Sequence, residues 1–456
     1  MTVDVYSSSL LNVGVLVSSA DHSVWLLSGV TFANGAFTLP VMKFTGSGDG
    51  LISDGTILSQ YSGTAIEMTG IGSSLDFGTS SLVRAYALVG TPAILMSGGS
   101  SSFTNHGLIT ATNGVAVVAV SALNSLYNDG RIEGGSGGLF LGTNGGSGDS
   151  LVNDGTIIAG IMQTPVFSDR FNHAVQVEGD GTIVINHGSL VASATFGAGV
   201  HIGSASILHG ANSLVENYGT ITSALWYGVD MHNLTNGGAS LFNYGQISGA
   251  LNGSVLGSLS ADKVINAGLM RGDVFLAGGN DLYDGRGGVV FGSVMGYDGN
   301  DTLIGGAQDD SLFGDVGNDL MRGGAGDDTL NASVGHDTIL GGTGDDTITG
   351  GTGRDVMTGG AGADVFQFAT AAAVGNSVAA SDVIRDFTSK LDLIDLGTLP
   401  GTLNFIGAAA FSNVANQLRY TLATGILEGD TNGNGTADFM LFLQAGTVLA
   451  AGDLIL

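Results

Sequence analysis

The chain of 456 residues has no cysteine and only 4 prolines, so neither a disulfide framework nor a collagen-like helix is open to it. Charge is scarce as well, at 11% of residues against a usual share of about 25%. What charge there is has one sign. With 40 acids against 12 bases and a net charge of −28, the surface repels phosphate backbones, which excludes nucleic acid as a partner and favours divalent cations. Glutamate and lysine, both good helix formers, are rare; 35 of the 40 acids are aspartate, a residue of turns. Long apolar runs are missing too. The most apolar stretch, Val115 to Leu123, is about half of what a transmembrane segment needs. Residues 1–30 offer neither the basic start nor the clean apolar run of a cleavable leader. Against these absences stand 79 glycines and 43% hydrophobic residues, enough to build a core, and the balance predicts an all-β chain with many tight turns.

Repeats organise that chain. A phrase Asn-x-Gly-x-Ile/Leu, preceded by an apolar residue, starts at Asn105, Asn128, Asn153, Asn186, Asn217, Asn243 and Asn266, with looser copies at Ser53 and Asp76, spaced 23 to 33 residues apart. Between copies lie alternating segments such as Thr64 to Met68, Gly199 to Ile202 and Gly228 to Met231. Alternation marks strands with one buried face, and asparagine followed by glycine supplies a turn tolerant of positive φ. A unit this short cannot bury its own face and must stack on its neighbours, which predicts a parallel β-helix over 1–275. The uneven spacing predicts loops inserted around Gly134–Gly148 and Ile161–Asn172.

From Gly296 the period becomes a strict nine. Eight blocks run from 296 to 367, each with aspartate at its sixth position: Asp301, Asp310, Asp319, Asp328, Asp337, Asp346, Asp355 and Asp364. The eighth position is large and apolar throughout: Leu303, Leu312, Met321, Leu330, Ile339, Ile348, Met357 and Phe366. A degenerate block upstream holds Asp281 and Tyr283, two residues out of phase. Glycine-rich turns followed by three residues of strand make a half-coil, so two blocks make an 18-residue coil and the aspartates stack in two rows. Carboxylates stacked at the strand spacing of about 4.8 Å repel one another unless a cation lies between them. Inward-facing turn carbonyls complete a set of hard oxygen ligands suited to Ca²⁺. Three gaps on each side predict six sites. Ala332-Ser333, Gln308, Asp315 and Tyr297 stand where other blocks have glycine and predict weaker sites at those turns.

These nonapeptides resemble those of the RTX (repeats-in-toxin) family of secreted, calcium-binding proteins. The segment after them resembles the C-terminal domain of serralysin-type proteases, through Gly362-Ala363-Asp364-Val365-Phe366-Gln367-Phe368, Ser381 to Phe387, Asp392 to Leu396 and Gly429 to Phe439. The resemblance implies a calcium β-roll over 276–367 and a β-rich C-terminal domain over 368–456. Asp453-Leu454-Ile455-Leu456 resembles the family's uncleaved type I secretion signal, which implies export by the type I secretion machinery to the extracellular space. Asp430, Asn432, Asn434 and Asp438 have the spacing of a single calcium loop, although Leu441 stands where an EF-hand has its acid; an ordinary Asn-Gly turn has the same spelling.

A serralysin-type protease needs His-Glu-x-x-His, and none of the 8 histidines is followed by glutamate, so that activity is excluded. A second secreted class, the mannuronan C5-epimerases, joins a β-helix to RTX modules. Its active-site motif resembles Tyr227-Gly228-Val229-Asp230-Met231-His232 at Tyr227, Gly228, Asp230 and His232, but the motif's proline and glutamate are absent. An Asp–His–Tyr group on one face could move a proton at a sugar carbon. The same residues also lie in the repeat's ordinary alternating strand. The sequence therefore leads to a calcium-binding extracellular protein with a structural or adhesive role at the cell surface or matrix, whose partners would be polysaccharides or cell-surface components. The alternative is a polysaccharide-modifying enzyme. His106 and His187, at the variable position of the turn phrase, are expected to be exposed and inert.

Overall fold

The computed structural model describes residues 2–6, 10–11, 15–17, 22–34, 40–59, 64–86, 91–120, 123–142, 148–160, 173–193, 197–203, 211–232, 234, 237–250, 253–369, 375, 380–397, 399 and 401–456. The expected loop at 161–172 and residues 143–147 of the other expected loop lie outside these. Among the described residues every element is a β-strand except the single 3₁₀ turn Ala451–Asp453. The chain divides into two compact units, Met1–Lys263 with Gly268–Gly272, and Val264–Ala267 with Asp273–Leu456.

The first unit is a parallel β-helix of three sheets. One coil shows the pattern: Ser102–Asn105 lies in the first sheet, Leu108–Ala111 in the second and Val115–Ala119 in the third, before Ser125–Asn128 returns to the first. Pairing is in register and residue by residue, so like stacks on like. Phe103, Leu126, Leu151, Val184, Val215 and Leu241 form one buried column, and Ile109, Ile132, Ile157, Leu190, Ile221 and Ile247 another. Burying each such side chain is worth roughly 1.5–3 kcal/mol, and no coil can do it alone.

The asparagine of the repeat phrase does something other than turn the chain. It closes a first-sheet strand with its side chain fully buried, and neither it nor the following glycine adopts positive φ. Nδ2 of Asn105 donates to Oδ1 of Asn128 at 2.7 Å, and the relay continues through Asn153, Asn186, Asn217 and Asn243 at 2.7–2.8 Å. The glycines are there for space. A Cβ on Gly155 would strike the carbonyl oxygen of Gly130, and one on Gly188 that of Gly155. The looser copy also shifts by one residue: Phe77, not Asp76, stands opposite Asn105 and Ser53. Its turn to the next strand, which starts at Leu82, is longer than the one from Asn105 to Leu108, and the Phe77 ring packs 6.0 Å from that of Phe103.

In the second unit the nonapeptides wind as two rows of parallel strands. Leu303 pairs with Met321, Ile339 and Met357 in succession, and Leu312 with Leu330, Ile348 and Phe366, all fully buried. The rows run on past the last block, for Met357 pairs with Ile384, Phe366 with Ile394, and Ile394 with Leu454. Strands Gln417–Thr421, Ile426–Asp430 and Phe439–Leu443 form an antiparallel meander whose last strand pairs with Val383–Ile384.

Candidate metal centre

Seven of the eight sixth-position aspartates, all but Asp310, are held by the coil before them. The backbone N–H of Asp301 donates to Oδ1 of Asp319 at 2.8 Å, Asp319 to Asp337 at 2.7 Å and Asp337 to Asp355 at 2.9 Å. On the other row Asp310 donates to Asp328 at 2.8 Å, Asp328 to Asp346 at 2.9 Å and Asp346 to Asp364 at 3.0 Å. Both rows extend beyond the eight blocks. Asp281 donates to Asp301, Asp355 to Asp382 and Asp364 to Asp392. Asp382 and Asp392 escaped the period because they lie 27 and 28 residues after their partners rather than 18. The legible signal was local: Asp382-Val383-Ile384 and Asp392-Leu393-Ile394 spell the same aspartate-x-apolar phrase as a repeat.

One carboxylate oxygen is thereby used and the other is left over. Oδ2 of Asp301, Asp319, Asp328, Asp337, Asp346, Asp355, Asp364 and Asp382 is buried with no hydrogen-bond partner. Most of these oxygens in the repeats face the first glycine of their own half-coil: a Cβ on Gly296, Gly314, Gly323 or Gly341 would run into Asp301, Asp319, Asp328 or Asp346, and beside it lies a carbonyl of the next coil. A row of orphaned carboxylate oxygens among glycine carbonyls is an all-oxygen donor set that fits Ca²⁺. Without a cation the site is costly. Burial first, then neighbouring carboxylates, push Asp328 and Asp337 up to about 7, and burial raises Asp301, Asp346 and Asp364 to about 6 and Asp382 to about 8.

The row from Asp310 to Asp392 ends, on both sides, where the second oxygen finds a donor. Oδ2 of Asp310 accepts from Gly306 N at 2.6 Å, and Oδ2 of Asp392 from Thr388 N at 2.7 Å. Three of the expected departures from glycine fall on one column. Tyr297, Asp315 and Ser333 occupy left-handed backbone at φ 70°, 70° and 74°, one coil apart, and Gly351 continues them at 101°. The backbone keeps the glycine conformation there without the glycine.

Residues 295–330 and 331–366 match the family model of the RTX calcium-binding nonapeptide repeat, which spans four copies. The roll is built of RTX repeats. Such repeats bind calcium. Among solved structures the chain is similar to the AlgE6R3 subunit of the Azotobacter vinelandii mannuronan C5-epimerase, at 26% identity over 32% of this chain and 78% of that one, with a TM-score of 0.17. No curated protein matches the chain. No helix among the described residues is long and apolar enough to cross a membrane.

The loop between the last two strands of the meander satisfies its own polar groups. Asp430 accepts from the backbone N–H of Gly433 at 2.7 Å and Gly435 at 2.8 Å, and Asp438 accepts from Thr431 N at 2.7 Å and Asn432 Nδ2 at 2.5 Å. Oδ1 of Asn432 accepts from Asn434 N at 2.9 Å, and Oδ1 of Asn434 from Thr436 N at 2.8 Å. Away from the RTX region, the β-helix brings Asp230 and His232 together at 2.6 Å between Oδ1 and Nδ1. Tyr227 reaches this pair through Trp226: the two rings meet edge to face at 5.4 Å, and Trp226 Nε1 donates to Asp230 Oδ2 at 3.0 Å. His201, which the sequence did not single out for chemistry, stands opposite Asp230 on the neighbouring strand with Nδ1 3.3 Å from Oδ2. Burial alone would raise the Asp230 pKa, but the facing charge of His201 and the charge and hydrogen bond of His232 hold it well below the usual carboxylate range. His106 and His187 are part-exposed, and each is bonded to an aspartate of an adjacent coil, His106 to Asp129 and His187 to Asp154, at 2.6 Å.

Proposed function

We propose that this chain is a secreted protein that folds on extracellular calcium and serves a structural or adhesive role at the cell surface or matrix. In this reading Asp301, Asp310, Asp319, Asp328, Asp337, Asp346, Asp355 and Asp364 are the calcium ligands, and Asp382 prolongs one row. The division of labour is a β-helix over 1–275, the RTX roll over 276–367 and a C-terminal segment over 368–456 that carries the type I secretion signal. The observation that supports it is the row of buried carboxylate oxygens without a donor. A cytosol poor in calcium leaves those charges unneutralised and the roll open, which suits threading through a secretion channel; calcium outside then closes it. The Asp430, Asn432, Asn434 and Asp438 loop is, on this reading, a turn closed by its own hydrogen bonds.

The β-helix then presents a surface for polysaccharide or cell-surface components. Asp230 is 1% exposed and engaged on both oxygens, a placement that suits holding its neighbours rather than touching a sugar. The deciding experiment incubates the calcium-loaded protein with polymannuronate and other polysaccharides while NMR follows the chains and sedimentation reports binding. Binding without turnover supports the reading. Turnover lost in Asp230→Asn would replace it with a polysaccharide-modifying enzyme.

A further inference from the structure

The third sheet of the β-helix carries a polar row on the face opposite its aliphatic column. Gln176, His201 and Asp230 stand opposite one another on successive strands, and all three are at most 2% exposed. Surface positions of a solenoid have no reason to bury an acid and an imidazole side by side, because each loses its hydration. His201 gets little in return. Neither ring nitrogen makes a hydrogen bond, and its approach to Asp230 at 3.3 Å is ion-pair contact without hydrogen-bond alignment. Oε1 of Gln176 is buried without a hydrogen-bond partner as well.

We propose that His201, Asp230 and His232 hold one divalent transition-metal ion of the Zn²⁺ class, a site separate in place and in chemistry from the calcium roll. One ligand atom from each of the three lies within 4.8 Å of the other two. Tetrahedral Zn²⁺, with bonds of about 2.0–2.1 Å, places its ligand atoms about 3.3 Å apart, so the cluster is already near that size. Two imidazoles and one carboxylate select a borderline ion such as Zn²⁺ and reject Ca²⁺, which takes six to eight oxygens. The surroundings hold the ligands in place. Trp226 Nε1 fixes one Asp230 oxygen, and the His173 ring stacks on His201 at 4.4 Å and 15°. His173 itself accepts from Ala198 N at 3.0 Å through Nδ1, so it is a neutral imidazole and adds no positive charge against the ion. Entry is through His232, whose side chain is 38% exposed while the other two are closed off.

The test uses the full chain in excess calcium, so that the aspartate rows are filled before Zn²⁺ is titrated calorimetrically. One Zn²⁺ per chain is expected to bind despite the calcium, and His232→Ala, on the open side, is expected to weaken it by about tenfold or more. X-ray absorption at the zinc edge of the unmutated protein provides a readout that needs no variant: scattering from two imidazoles is expected. Zinc that calcium displaces, an all-oxygen shell, or unchanged affinity in a folded His232→Ala protein would each overturn the assignment.

Discussion

The backbone N–H of Asp319 donates to Oδ1 of Asp337, one coil on, at 2.7 Å, while Oδ2 of Asp337 is buried with no hydrogen-bond partner. One oxygen of this carboxylate thus ties two coils together, and on the proposed reading the other binds the cation. The two jobs separate in Asp337→Asn, which retains the acceptor and loses the charge. In chelator the variant should unfold later than the parent, because repulsion with Asp319 and Asp355 is relieved. In calcium it should unfold earlier, by about 1–3 kcal/mol for each site emptied at ten to a hundred times Kd. Denaturant unfolding in both buffers reads the result; a shift of the same sign in both would refute the division of roles.

Acid should act on the roll in opposite directions with and without calcium. Folding raises Asp328 and Asp337 to about 7 and Asp382 to about 8, chiefly by burial, so the folded calcium-free state binds protons more tightly than the unfolded chain. Its stability is therefore greatest in acid and falls as pH rises from about 4 towards 8. Calcium needs the ionised carboxylates, so the calcium-bound protein should lose its ions and its added stability as pH falls through 7 to 6. Melting temperatures at pH 5 and pH 8 in chelator and in calcium would show crossing trends; parallel trends would contradict the assignment of these groups.

Much of this was legible from the sequence, and what was not has identifiable causes. The nine-residue period specifies both aspartate rows and both apolar columns because every block has the same length and packs on its equal. Where the length changes, the arithmetic loses the thread: Asp382 and Asp392 join the rows across longer connections, and only their aspartate-x-apolar phrase marks them. The asparagine of the longer repeat was legible as a position but not as a role. Its usual turn chemistry concealed that Asn105 and its equivalents are buried at strand ends, bonded to one another across coils. His201 carried no motif at all. Its meeting with Asp230 depends on the register of two strands from adjacent coils, and the intervening length is not periodic enough to predict it.

The asparagine relay should be intolerant in its middle. Asn186 accepts from Asn153 at 2.8 Å and donates to Asn217 at 2.8 Å, and all three are fully buried. Asn186→Ala strands a donor on one side and an acceptor on the other. At about 1–3 kcal/mol for each unsatisfied group, the expected loss is roughly 2–6 kcal/mol. Calcium should not change that loss, since the relay lies in the β-helix; chemical denaturation with and without the ion checks both points.

Ser333 offers the reverse experiment, a gain. It holds φ at 74° in a column that Gly351 continues, and its hydroxyl donates only to Asn331 Oδ1 at 3.2 Å. Relieving left-handed backbone is worth about 1–2 kcal/mol per residue, more than the extra flexibility glycine brings to the unfolded chain. Ser333→Gly is therefore expected to stabilise the calcium-bound roll by about 1 kcal/mol, read as a higher melting temperature. A loss of that size would mean that the serine side chain contributes more than its conformation costs.

The last residues close the fold as well as ending the chain. Asp453 accepts from Ser389 Oγ at 2.7 Å, Lys390 N at 2.9 Å and Ala450 N at 2.8 Å, and the next residue, Leu454, pairs with Ile394 at the end of an apolar column. Asp453 and Leu454 are buried by these contacts, while Ile455 and Leu456 stay exposed. Asp453→Ala removes all three bonds at once. Hydrogen bonds to a charged group are worth about 1.5–3 kcal/mol, and at least that much should be lost from calcium-bound stability. Hydrogen exchange locates the effect: amides of Leu393–Asp395 and of the 453–456 tail should lose protection first, with those of Ser102–Asn105 unchanged. Uniform loss over both segments would show instead that the tail supports the whole chain rather than the end of one column.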